Sequence, residues 1–122
     1  GLVKQAKAAL EKAIELDAQA LDGSAYTSLA SLYYQVPGWP IGFGDEDKAE
    51  ALFKQALALN PNGIDPNYFH GDFLLRQKRY GEARAALEKA LAAPDRADRE
   101  VADAGRRDEA RALLAQVKEK LE

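Results

Sequence analysis

The chain contains no cysteine, which removes several kinds of chemistry at once. Thiol nucleophiles, disulfide staples and cysteine-ligated zinc sites are all excluded. Histidine occurs once, at His70. No second ligand stands at a metal-binding spacing around it, because Asp72 falls on a different helix face. The lone histidine therefore reads as a packed helix residue, not a catalyst. No apolar run approaches the roughly 20 residues of a membrane-spanning helix, and no signal peptide is visible. Neither sign of charge dominates: 17 basic and 20 acidic residues leave a formal net charge of −3. Nucleic acid and anionic membranes need a basic face, so neither is an expected partner. Ser24, Ser28 and Ser31 have no base on their own helix. Gly42-Phe43-Gly44 is too short and too aromatic to cradle phosphate. No catalytic, cofactor-binding or metal-binding residue is expected.

One short phrase is written three times. It reads Glu11-Lys12-Ala13-Ile14-Glu15-Leu16-Asp17, then Lys54-Gln55-Ala56-Leu57-Ala58-Leu59-Asn60-Pro61, then Glu88-Lys89-Ala90-Leu91-Ala92-Ala93-Pro94. The last two copies lie 34 residues apart, from Ala56 to Ala90. That is the period of a helix pair that cannot bury its apolar face alone and must stack on neighbours. In the middle unit Tyr26, Leu29, Ala30 and Tyr33 mark a first helix, and Ala49, Phe53, Ala56 and Pro61 a second. In the last unit Gly71 and Leu74, then Ala83, Leu87 and Ala90, fill the same places. Ala30, Gly71, Ala49 and Ala83 are the small residues that a close helix approach requires. These positions resemble the tetratricopeptide repeat over residues 3–94. His70 and Asn67 depart from the pattern, standing where Leu and Trp are usual.

The expected fold is all-α: about two and a half tetratricopeptide helix pairs in a right-handed superhelical stack, with a C-terminal capping helix. One domain spans 1–122. Residues 1–20 hold the second helix of a partial repeat, with Leu10, Ala13, Ile14 and Leu16 toward the core. Residues 21–62 form a repeat with an insertion at 36–45; 63–94 form a regular repeat; 95–122 form a linker and cap. Ser24 and Asp45 are N-cap candidates, with Glu46 and Asp47 favourably placed in the first turn. Pro66 suits the first turn of a helix beginning near Asp65. Pro94 to Gly105 reads as irregular, and the capping helix as Arg107 to Leu121. The sign-alternating runs Arg96–Glu100 and Arg106–Arg111 read as a solvated face. The opening residue Gly1 and the half repeat behind it suggest a piece or processed form of a longer array.

The stretch Val36-Pro37-Gly38-Trp39-Pro40-Ile41-Gly42-Phe43-Gly44 is the irregular part. Its prolines and glycines favour a defined loop. Trp39, Ile41 and Phe43 either edge a binding site or fold back onto the helices. Together with Lys48-Ala49-Glu50 and the helix from Phe53 to Pro61, this loop resembles the T-component proteins of tripartite ATP-independent periplasmic transporters. That resemblance implies a periplasmic, oligomeric accessory subunit that associates with a solute-binding component.

The repeat resemblance implies a concave surface lined by the first helix of each pair. Thr27, Ser31 and Tyr34 would line it in one unit, and Asp65, Tyr68, Phe69, Asp72 and Arg76 in the next; Trp39 and Phe43 would add the loop. No Lys, Arg and Asn clamp for a peptide carboxylate is present. Tyr and Phe offer rigid area for a peptide or protein partner, and Asp65 and Asp72 favour a basic or neutral one. The expected function is protein interaction or scaffolding without catalysis, in the cytoplasm or periplasm; self-association through the exposed first helix is a further expectation.

Overall fold

The computed structural model describes residues 1–122 and is all-helical. Six α-helices and one 3-10 turn fall into two compact units, Gly1–Asn60 and Pro61–Glu122.

The first unit holds α1 (Leu2–Leu16), a 3-10 turn (Ala20–Gly23), α2 (Ser24–Gln35) and α3 (Glu46–Leu59). Its core is the α2–α3 pair. Leu29, Ala30 and Tyr33 from α2 meet Ala49, Phe53 and Ala56 from α3, all buried. The small residues fall where the repeat pattern put them, and they let the two helices close on Phe53. Helix α1 differs from expectation. It rests along one side of α2 with Leu10 and Ile14 half-buried, but Ala13 is exposed and Leu16 is 74% exposed.

The start of α2 is also corrected. Ser24 caps nothing; it is the first helical residue. The N-cap is Gly23, left-handed at φ 77°, after Leu21 and Asp22, which also have positive φ. Glycine suits this position on two counts. It adopts the left-handed region freely, and a Cβ would stand 2.8 Å from Leu59 Cδ1. Asp45, by contrast, caps α3 as expected: its Oδ1 accepts from the Lys48 N–H at 3.1 Å.

The second unit holds α4 (Ile64–Arg76), α5 (Tyr80–Leu91) and α6 (Glu100–Leu121). Helices α4 and α5 close around Gly71, where a Cβ would lie 2.7 Å from Leu87 Cγ. Phe73, Leu74, Ala83, Leu87 and Ala90 complete that contact, and Ala110, Leu114 and Val117 bring α6 onto it. Asn67, which departs from the repeat pattern, is only 2% exposed. Its amide donates to Pro61 O at 3.0 Å and Gly63 O at 2.9 Å, fixing the turn that starts α4. Pro66 lies in the first turn of α4, where its missing N–H costs nothing.

The end of α4 is a two-bond cap: Arg79 N–H donates to Leu74 O and Lys78 N–H to Leu75 O, each at 2.9 Å. Lys78 holds the left-handed position at φ 63°. Helix α6 begins seven residues before the expected Arg107, and it runs through Gly105. The reason is Asp103. Its carboxylate is buried in the first turns of α6 and tied to Arg96, so the charged stretch before Gly105 is helical and anchored. No helix of the chain is long and apolar enough to cross a membrane.

Candidate functional site

In the first unit the candidate residues divide by burial. The 36–45 loop is a closed turn, not an open excursion. Gly44 N–H donates to Pro37 O at 2.9 Å, and Ile41 and Gly42 N–H both donate to Gly38 O at 3.1 Å. Asp45 N–H donates to Tyr33 O at 2.9 Å, which ties the loop's end to α2. The two loop edges approach so closely at Gly44 that a Cβ would stand 1.9 Å from Val36 O. Phe43 folds back: its ring meets Tyr33 edge-on at 5.6 Å, and Lys7 Nζ lies 5.6 Å from its centroid. Trp39 and Ile41 go the other way, 90% and 84% exposed. Phe43 thus follows the fold-back alternative, and Trp39 and Ile41 do not.

On α2, Tyr34 is half-buried, with its ring 5.9 Å from Phe53 and its hydroxyl accepting from Gln35 Nε2 at 3.3 Å. Ser31 donates to Thr27 O at 3.0 Å, so its hydroxyl is turned to its own helix. Thr27 is corrected. It is buried and cannot line a surface, because it lies on the same stripe of α2 as Ala30 and Tyr33.

In the second unit the structure brings Asp65, Tyr68 and Phe69 together, and a residue absent from the sequence-based set joins them. Arg106 of α6 lies with its guanidinium carbon 4.9 Å from the Tyr68 centroid and 4.7 Å from that of Phe69. The two rings meet edge-on at 5.0 Å. Arg106 Nε donates to Asp65 Oδ1 at 3.1 Å, and Nη1 to Glu109 Oε2 at 3.2 Å. The Tyr68 hydroxyl donates to the same Glu109 oxygen at 3.3 Å. Burial, then the Glu109 charge, pushes the Tyr68 phenol up from its ordinary value. Arg96 approaches Asp65 from the other side at 3.8 Å. Asp72 and Arg76 pair with each other at 3.3 Å, one turn apart on α4.

The charge runs around Arg96 and Arg106 are therefore not simply a solvated face. Arg96, Arg106 and Arg107 turn back onto Asp103, Asp65 and the Ala93 carbonyl. The available signal was the spacing of Arg106 and Glu109, which sets both on one face of a helix, the face that α6 turns to α4. His70 is half-buried, its ring stacked at 6.4 Å on Phe73. Chemically, these surfaces can bind. The α4 face offers aromatic rings and carboxylates, and the first unit offers an apolar loop tip.

Comparison with known proteins bears on the repeats. The family model described as Tetratricopeptide repeat matches residues 41–104, and a second model of that description matches residues 1–19. No curated protein and no solved structure matches the chain. The matched stretches cover the α3, α4 and α5 helices with the start of α6, and the half repeat of α1. With Ala49, Phe53, Ala56, Gly71, Ala83 and Ala90 packed in the places the repeat assigns them, the chain belongs to the tetratricopeptide repeat family.

Proposed function

We propose that the chain binds a protein or peptide partner, without catalysis, through two surfaces: the 36–45 loop with Ser31 and Tyr34 of α2, and the α4 face that carries Asp65, Tyr68 and Phe69 beside α6. Repeats of this family form protein-interaction or scaffold modules. The observation that carries the reading is the loop tip. Trp39 and Ile41 stand 90% and 84% exposed on a turn whose base is closed by four backbone hydrogen bonds. Ordering a floppy loop on binding costs entropy; a loop already fixed has little left to lose. Aromatic anchors of this kind dominate binding energy at interfaces.

In the first unit the contacting set is Trp39, Ile41, Tyr34 and Ser31, with Phe43 as the buttress that sets the loop. In the second it is Asp65, Tyr68, Phe69, Asp72 and Arg76. The test is capture of partners on the immobilised chain, compared with the W39S/I41S double variant and with Y68A and Y34A. A specific partner should be retained by the parent and lost at least tenfold on one of these variants. A partner captured equally by all of them would overturn the surface assignment.

A second reading is the periplasmic transporter accessory. Its support is the loop: the Pro37-Gly38 and Gly44-Asp45 pairs that carry that resemblance are the residues that close the turn and cap α3. It predicts that the captured partner is a solute-binding protein.

A further inference from the structure

The surroundings of Arg106 contain every element needed to recognise a guanidinium group. Two aromatic faces lie within 5 Å of its carbon atom, and cations over such faces are attracted by the ring quadrupole. Two carboxylates, Asp65 and Glu109, accept from different edges of the planar fork. A lysine ammonium could not use both edges and both rings, because it is a compact point charge. Three of these elements, Asp65, Tyr68 and Phe69, belong to α4; the guanidinium and Glu109 come from α6.

We propose that Asp65, Tyr68 and Phe69 of α4 form a binding site for an arginine side chain, that Arg106 fills it in cis, and that the external ligand is an arginine-bearing peptide. This names the ligand class of the α4 surface and rests on the binding function proposed above.

Two further observations fit an exchangeable contact. The site is not sealed: the side chains of Asp65 and Arg106 keep 36% and 27% of their exposure, and Glu109 keeps 54%. Arg106 is also not the sole anchor of α6 on its unit. Buried Ala110, Leu114 and Val117, the Arg96–Asp103 pair, and the Arg107 bond to Ala93 O at 3.0 Å hold it as well. An internal arginine competes at the high effective concentration of a tethered group, so the parent chain binds free arginine weakly. A peptide gains over that competitor by making additional contacts along α4. Neighbouring Asp72 at the next turn is placed for a second basic residue, with Arg76 as its present partner.

The test uses the full chain as R106A and the probe Nα-acetyl-arginine amide, followed by NMR of the Tyr68 and Phe69 ring protons. The lysine and norleucine analogues serve as controls. The expected result is saturable binding to R106A at least tenfold tighter than to the parent. The shifts should be confined to the α4 site, binding should be at least tenfold weaker for both analogues, and it should be lost in R106A/D65N. Helicity and melting of each variant are recorded alongside. Should R106A fail to fold, R106K keeps a cation beside Asp65 and gives up the planar fork; it too should bind the arginine probe more tightly than the parent. Equal probe affinity for the parent and the folded variant overturns the proposal, as does an equal response to the norleucine analogue. Because the probe experiment needs no partner, its failure leaves the capture experiment untouched, and failure of the capture experiment leaves the probe result standing.

Discussion

Asp103 is 1% exposed, and Arg96 holds it from the chain segment just before its own helix. Arg96 Nε donates to both carboxylate oxygens, at 3.0 and 3.2 Å; its terminal nitrogen donates to Oδ1, and its backbone N–H to Oδ2 at 3.3 Å. The pair closes residues 96–103 into a loop that sets where α6 starts. A charge this buried is tolerated only because its lone pairs are filled.

Removing Arg96 should therefore cost more than neutralising Asp103. R96A leaves a buried carboxylate with little but a backbone donor, and is expected to destabilise by about 2–4 kcal/mol. D103N leaves a partly exposed arginine that water can solvate, and should cost about 1–2 kcal/mol. Urea denaturation of the two variants checks the order. If D103N is the more damaging change, the buried-charge account is wrong.

The same pair sets a pH dependence. Hydrogen bonds from Arg96, more than any other influence, hold the Asp103 carboxyl below its ordinary value of 3.8. A carboxylate with a lowered folded-state pKa stabilises the fold fully above its unfolded-state value, and the contribution is lost as pH falls toward the folded value. The stability gap between the parent and D103N should be constant from neutral pH to about 5 and shrink below about 4. A gap that persists undiminished at pH 2.5 would contradict this.

Gly71 faces Leu87 so closely that an added Cβ would sit 2.7 Å from Leu87 Cδ2 and Cγ. Leu87 is fully buried and has nowhere to go. G71A should therefore destabilise the protein by about 1–3 kcal/mol, although alanine is the better helix former. Trimming the neighbour in G71A/L87A should cost less than the sum of the two single changes. Thermal melts of the four proteins decide it; strict additivity would show that the two sites are not in contact.

Lys78 occupies the left-handed position that ends α4, where glycine is the usual residue. K78G should raise stability by about 0.5–1 kcal/mol, because relief of the left-handed penalty exceeds the added freedom of the unfolded chain. A lower melting temperature would show that Lys78 makes a contact that offsets its strain.

Trp39 and Ile41 touch solvent more than protein, so W39S/I41S should melt within about 0.5 kcal/mol of the parent. F43A, by contrast, removes the ring packed on Tyr33 and should cost about 1–3 kcal/mol. If both loop variants melt alike, the division of the loop into an outward tip and an inward buttress is mistaken.

The sequence alone determined the helix pairs. A 34-residue period with small residues at fixed places is a packing instruction that needs only local spacing to read, and Ala30, Ala49, Gly71 and Ala83 lie buried in the contacts it implies. Some single-residue signals were legible for the same reason: Asp45 begins α3 and Pro66 sits in the first turn of α4, whereas Ser24 caps nothing. Tertiary structure decided everything that depends on what lies opposite a side chain. Thr27 is buried and Leu16 exposed because of which helix faces them, not because of their own hydropathy. The charged stretch from Arg96 to Arg111 looks solvated in sequence, since alternating charge is what a wet helix face shows. Folding turns Arg96 onto Asp103 and Arg106 onto Asp65, Tyr68 and Phe69. Arg106 and Asp65 are 41 positions apart, and a contact of that range leaves no periodic signal. It exists only once α6 lies against α4, where two aromatic rings and the Asp65 carboxylate meet the Arg106 guanidinium.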